Sequence, residues 1–283
     1  MVKLTTYLSF VRFSHSVFAL PFALTGALLA WRDHPFSWEQ VAWIVVCMVG
    51  ARSAAMGFNR LVDARFDTLN PRTAMRELPR GVMSRTEAAV FVTVSSIVFV
   101  FASSRLSPLC LALSPVALAI VFWYSLAKRV TTYTQLFLGL ALAVAPVGGW
   151  IAAGGRGGIV PWLLGLAIGL WVGGFDILYA CQDVEFDRDH GLRSIPARFG
   201  IATAIRLSRV MHVGAIAAMA ALWRGADLPS LYLVGVAIVA VLLFYEQSLV
   251  SDTDLSQVKK AFDLNGWVGI VYFATTALAL YVG

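Results

Sequence analysis

The sequence predicts an all-α integral membrane protein, with about nine transmembrane helices around a central cytoplasm-facing cavity, on three observations. Of its 283 residues, 59% are hydrophobic and 13% charged, whereas soluble domains are roughly 45–50% apolar and about 25% charged. The apolar residues come in runs that reach the roughly 20 residues a helix needs to cross a bilayer core. Lysine and arginine concentrate in alternate loops, the signature of a chain threaded repeatedly through a membrane.

Taken in order, the first run, 13–31, follows Lys3 and Arg12 and has no convincing small-residue cleavage site, so it reads as a retained span. Span two, 40–64, is apolar at first and turns polar while its helical pattern is still running. Spans three and four, 86–104 and 107–126, are separated only by Arg105 and Leu106. Spans five and six, 134–153 and 160–182, contain the small-residue runs GLALAVAPVGGW and GLAIGLWVGGF. Such runs permit either close helix packing or a lateral passage for an apolar chain. Spans seven to nine, at 203–223, 229–250 and 266–282, complete the count. No low-complexity tail or long linker divides the chain, so 1–283 reads as a single transmembrane domain.

A net charge of +6 would point a soluble protein towards nucleic acid. Here the placement of the charge excludes that partner and reports orientation instead. Basic residues precede span one and follow spans two (Arg60 to Arg85), four (Lys128, Arg129), six (Arg188 to Arg209) and eight (Lys259, Lys260). The opposite loops carry only Arg32, Arg105, Arg156 and Arg224. By the positive-inside rule the amino terminus and the large polar loops face the cytoplasm, with the carboxyl terminus outside. In a bacterium the membrane is the inner one. Cys47, Cys110 and Cys181 form no CxxC pair and read as small buried hydrophobes.

Two segments carry chemistry. The end of span two reads RSAAMGFNRLVDARFDTLNPRTAMRELPRG, in which Asn59, Asp63 and Asp67 recur every fourth residue. At 100° per residue they drift by about 40° per step, so their oxygens form a column that suits a hard cation. Arg52 falls on the same stripe, one level deeper. The end of span six reads GFDILYACQDVEFDRDHGLRSIPARFG, in which Asp176, Asp183 and Asp187, with Tyr179 between them, share one helical face. Intramembrane carboxylates are retained mainly where they line a polar cavity, because insertion at mid-bilayer costs about 2.5–3.5 kcal/mol. Any one of these aspartates could simply pair with a neighbouring arginine. Two acidic stripes among Arg65, Arg72, Arg76, Arg188 and Arg193 describe a site for a polyanion held through metal ions and basic clamps. A diphosphate fits that description. The segment 68–85, with Pro71, Pro79 and Gly81, is long enough for a lid or a connector.

The NRLVDARFD and DVEFD segments, with Tyr124 and Lys128 of YSLAK between them, resemble the UbiA superfamily of intramembrane aromatic prenyltransferases. NPRTAMRELPRG and GLRSIPARFG continue the likeness, which is strongest for the 4-hydroxybenzoate polyprenyltransferase branch and its menaquinone-pathway relatives. The resemblance implies Mg²⁺-dependent transfer of a prenyl group from a polyprenyl diphosphate to a small aromatic acceptor within membrane lipid. It implies one Mg²⁺ site at Asn59, Asp63 and Asp67, another at Asp183 and Asp187, and a diphosphate contact at Lys128. Charge and position add Arg65, Arg72, Arg129 and Arg188 as further phosphate clamps, each of which could instead be an ordinary cytoplasmic-side anchor. Arg52, Tyr124, Asp176 and Tyr179 are the candidates for the acceptor end, with Arg52 suited to a carboxylate. The favoured acceptor is 4-hydroxybenzoate, in ubiquinone or menaquinone synthesis, and a dihydroxynaphthoate is the alternative. A reading from another class, an organic-anion transporter, needs polar residues in the outer half, whereas here they cluster on the cytoplasmic side. An alcohol phosphatidyltransferase would show a DG-x-x-AR element, which the sequence lacks.

Overall fold

The computed structural model describes residues 4–11 and 19–282, and among these every regular element is helical. Eight helices are long and apolar enough to cross a membrane: α3 (Trp38–Leu69), α4 (Arg85–Leu106), α5 (Pro108–Ala127), α6 (Thr134–Ala152), α7 (Val160–Ala180, continuing to Asp189), α10 (Ile201–Gly225), α11 (Leu231–Ser248) and α12 (Val258–Val282). The remainder are short: α1 (Leu4–Phe10), α2 (Leu20–Ala30), α8 (Val184–Asp189) and α9 (Ile195–Phe199). The chain is an integral membrane protein. The expected first span, 13–31, is represented by the 11-residue α2, and residues 12–18 lie outside the described ones.

Two compact units are formed, one from Met1–Ser16 and Trp38–Leu126, the other from Val17–Ser37 and Ala127–Gly283. In the first, α3 and α4 pack along a seam at which Gly50 meets the Phe99 backbone and Cys47 lies beside Ser103. A second cluster, of Phe10, Val11, Met83 and Ala88 with Tyr7, Leu61 and Leu78 against it, ties α1 to the segment between α3 and α4. That segment ends at Ser84, which caps α4 reciprocally: its hydroxyl accepts from the Glu87 amide, and the Glu87 carboxylate accepts from the Ser84 amide.

The second unit is built on close helix contacts. A Cβ on Gly149 of α6 would overlap the Ala23 carbonyl of α2, and one on Gly174 of α7 would overlap the His212 ring of α10. The small residue lets two backbones approach at Gly149 and makes room for an imidazole at Gly174, and dispersion across such contacts replaces the hydrophobic drive that lipid cannot supply. At these positions the small-residue runs serve packing. The core centres on Trp171, fully buried, whose ring packs against Phe22 and Phe175 at 4.9 and 5.2 Å. Its Nε1–H donates to Asn265 Oδ1 at 2.7 Å, and Asn265 in turn donates to Glu246 Oε1 at 3.0 Å. The indole thereby joins α7, α11 and α12 while its one polar group stays satisfied.

Three boundaries differ from those read off the sequence. Helix α3 continues to Leu69, five residues past the expected end at 64, because a helix end beyond the apolar run tolerates charge, and Asp63 and Asp67 lie in its last turns. Helix α12 begins at Val258 rather than 266, with Lys259 and Lys260 exposed in its first turn. The helix after span six is interrupted by a 3-10 turn at Cys181–Asp183. Three residues at the tighter winding turn Asp183 by about 60° relative to an unbroken α-helix, which leaves it about 40° from Asp176 around the axis.

Candidate functional site

In the first unit the acidic stripe occupies the last turns of α3. Asn59 is half-buried, whereas Asp63 and Asp67 are only 3% and 5% exposed. Asn59 Nδ2 donates to Asp63 Oδ2 at 3.3 Å. The chain then folds back over the helix end. Asn70 starts an Asx turn by accepting from the Arg72 amide at 2.9 Å, and Thr73 Oγ1 donates to the Asp67 carbonyl at 3.2 Å. This turn delivers Arg76, whose Nη1 reaches both carboxylate oxygens of Asp67, at 2.7 and 2.9 Å. The segment 70–84 is held further along by Ser9, whose hydroxyl donates to Glu77 at 2.5 Å, and by Met83, 1% exposed. Arg65 and Arg72, expected phosphate clamps, are exposed.

Deeper on α3, Arg52 lies two turns before Asn59, about 10 Å along the axis. Its Nε is buried and has no hydrogen-bond partner within the protein. An unsatisfied buried donor costs about 1–3 kcal/mol, which a carboxylate ligand would recover. Tyr124 lies on α5 of the same unit, two residues beyond Phe122, whose ring packs against Phe58 of α3 at 4.5 Å. Helices α3 and α5 therefore meet one residue from Asn59.

In the second unit the structure brings the Lys128 element against the second acidic element. Helix α8 closes with a Schellman arrangement: Leu192 N–H donates to the Asp187 carbonyl at 2.8 Å and Gly191 N–H to the Arg188 carbonyl at 3.4 Å, with Gly191 at φ 67°. The chain reverses there and lies along residues 128–135. The Arg193 amide donates to the Lys128 carbonyl at 2.7 Å, the Arg193 guanidinium to the Val130 carbonyl at 2.6 Å, and the Ile195 amide to Gln135 Oε1 at 3.3 Å. Ser194 completes the turn by donating to Asp187 Oδ2 at 2.8 Å. Lys128 and Arg129 are half-buried beside it. Arg188, expected as a phosphate clamp, spends its Nε on the Ala197 carbonyl at 3.0 Å. Tyr179 packs its ring on Phe262 at 4.7 Å, and Asp176, Asp183 and Asp187 are all half-buried.

Gly191→Ala is expected to destabilise the protein by about 1–2 kcal/mol through backbone strain alone, since a Cβ there meets nothing within 4 Å. Gly191→Asn should lose less, because asparagine tolerates the left-handed conformation. Thermal inactivation midpoints of the two variants check the order, and equal midpoints would refute it.

The donor set is chemically uniform: amide and carboxylate oxygens, with no thiolate or imidazole among the candidates. Among the described residues no three His, Cys, Asp or Glu side chains gather into a closed metal cage. Oxygen-only donors suit a hard cation such as Mg²⁺, which takes one or two carboxylates and completes its octahedron with waters and phosphate oxygens. Arg76, counted among the basic clamps in the sequence, pairs with Asp67, and the sequence reading does not single out Ser194 or Gln135. Ser194 had a visible signal, a serine followed by Ile-Pro at a helix start. Gln135 had none, since its role depends on a chain reversal sixty residues away.

A sequence profile of the UbiA prenyltransferase family matches residues 19–275. The chain is 30% identical to the 4-hydroxybenzoate octaprenyltransferase of Alkalilimnicola ehrlichii over 251 residues, 85% of this chain and 83% of that protein. It is 31% identical to the enzyme of the same name from Nitrosospira multiformis, over 80% of this chain and 78% of that one. Among solved structures, the apo form of a UbiA homolog from Aeropyrum pernix superposes with a TM-score of 0.87 at 36% identity, covering 94% of this chain and 98% of that one. A UbiA homolog from Archaeoglobus fulgidus bound to GPP and Mg²⁺ shares the fold, with a TM-score of 0.71 at 18% identity over 96% of this chain and 99% of that one.

Proposed function

Because this chain belongs to the UbiA prenyltransferase family, we propose that it transfers a polyprenyl group from polyprenyl diphosphate to 4-hydroxybenzoate, with Mg²⁺, at the cytoplasmic side of a bacterial inner membrane. The observation that carries the acceptor is the buried, unsatisfied Nε of Arg52, a donor matched to a carboxylate. The names of the curated relatives support the same acceptor, and the GPP- and Mg²⁺-bound fold relative supports the donor and the ion.

In the reaction, the bond between C1 of the prenyl chain and the diphosphate oxygen breaks, and its electron pair leaves with the diphosphate. A ring carbon of the acceptor forms the new carbon–carbon bond to C1, and the displaced ring proton passes to a base. When bound, Mg²⁺ neutralises the diphosphate and stabilises the charge that develops on it. Asn59, Asp63 and Asp67 hold one ion, and Asp183 and Asp187 hold the other. Lys128 binds the diphosphate directly, with Arg65, Arg72, Arg129 and Arg188 adding positive charge around it. Arg52 takes the acceptor carboxylate, while Tyr124, Asp176 and Tyr179 set the orientation of its ring. A carboxylate of the second acidic element accepts the hydrogen of the ring hydroxyl, which raises the nucleophilicity of the ring.

The test is incubation of membranes containing the protein with a polyprenyl diphosphate, Mg²⁺ and separate hydroxybenzoate and dihydroxynaphthoate acceptors, with products read by mass. Prenylated 4-hydroxybenzoate that disappears with EDTA is the expected result. Product only with the dihydroxynaphthoate would overturn the acceptor, and no product from folded protein would overturn the reaction.

A further inference from the structure

We propose that Ser194 is a positioning residue for Asp187, setting the orientation in which that carboxylate meets a divalent cation. The proposal rests on the reading of Asp187 as a metal ligand. Ser194 is 3% exposed, and its hydroxyl makes two contacts of opposite sense. It accepts from the Ala197 amide at 3.3 Å, capping α9, and it lies 2.8 Å from Asp187 Oδ2. The amide can only donate, so it uses a lone pair of the hydroxyl. The single hydroxyl proton is therefore committed to the carboxylate.

The hydroxyl is also unable to follow a wandering carboxylate. On one side the Arg193 amide is tied to the Lys128 carbonyl at 2.7 Å, and on the other the Ile195 amide is tied to Gln135 Oε1 at 3.3 Å. Upstream, the left-handed Gly191 fixes where the chain leaves α8. Ser194 thus stands as a fixed post on the 128–135 segment, against which Asp187 rests. One bond to a ligating carboxylate from such a post sets the plane of the group before the ion arrives. Outer partners of this kind typically contribute about 10–100-fold to metal affinity.

A purely structural role as the α9 cap makes a different forecast, and substitutions at 194 separate the two. Ser194 sits at φ −147° and ψ 160°, an extended conformation open to any residue. Glycine at an N-cap costs little relative to serine, yet it has no hydroxyl to offer Asp187. Threonine keeps both the cap and the hydroxyl.

The experiment is Mn²⁺ titration of the purified protein, reading free ion by electron paramagnetic resonance, for wild type, Ser194→Gly, Ser194→Thr and Asp187→Ala. Thermal midpoints are recorded alongside. We expect Asp187→Ala to lose one class of Mn²⁺ sites, Ser194→Gly to weaken the same class by about tenfold at a nearly unchanged midpoint, and Ser194→Thr to bind within about threefold of wild type. Wild-type affinity in Ser194→Gly, or a Ser194→Thr as weak as Ser194→Gly, would overturn the positioning role even if Asp187→Ala loses its sites. Unaltered Mn²⁺ binding in Asp187→Ala would instead overturn the assignment of Asp187 as a ligand, and the proposal with it.

Discussion

Asp63→Ala is expected to lower kcat/KM for prenyl transfer by about 1,000-fold, or roughly 4 kcal/mol of transition-state stabilisation, while leaving the helices intact. Asp63 stands in the middle of the α3 stripe, 3% exposed, with Asn59 donating to it one turn earlier. Removing its carboxylate takes away a central oxygen donor and with it the charge that recruits the ion. No large stability loss accompanies this, because a carboxylate is itself costly to bury. Steady-state rates across a Mg²⁺ series, with far-UV circular dichroism as the folding control, check the result. A variant within about threefold of wild type would remove Asp63 from the metal site.

The largest effect on stability is expected at Trp171. Trp171→Ala should cost about 3–5 kcal/mol, from the lost burial and the cavity left among Phe22, Phe175 and their neighbours. It also removes the donor to Asn265 Oδ1, which sits at 0% exposure. Trp171→Phe helps to separate the two contributions, since it keeps most of the volume and loses the N–H. A cost of about 1–3 kcal/mol is expected there, the penalty of one buried unsatisfied acceptor. Unfolding in mixed detergent micelles titrated with dodecyl sulfate measures both. Should Trp171→Phe equal Trp171→Ala, the hydrogen bond rather than the packing would dominate this core.

Spans with strong apolar runs were legible because bilayer thickness imposes a length that composition alone can meet or miss. Helices α4 to α7, α10 and α11 accordingly fall within a few residues of their expected bounds. Helix ends were less legible, because an end outside the apolar run, such as that of α3, can continue as a charged helix without any bilayer penalty. The 3-10 turn at Cys181–Asp183 left no mark in the residue pattern, since tighter winding over three residues needs no special side chain. Asp67 illustrates the limit within the site. Its spacing from Asn59 and Asp63 was plain, but its bidentate pairing with Arg76, nine residues on, depends on how the Asn70 turn folds back.

By itself the sequence determined that the chain crosses a membrane repeatedly, that it carries two acidic elements with oxygen-donor chemistry, and which family those elements resemble. These are properties of local composition and helical periodicity, which do not require knowing what any residue touches. Only the tertiary structure decided that Gly149 serves close backbone approach and Gly174 makes room for the His212 ring, that the Lys128 turn is bound to the segment after Asp187, and that Ser194 directs its one proton to that carboxylate. Each of these joins residues far apart in the chain. Their pairing is set by which helices pack together, a global balance of contacts that no single stretch of sequence contains.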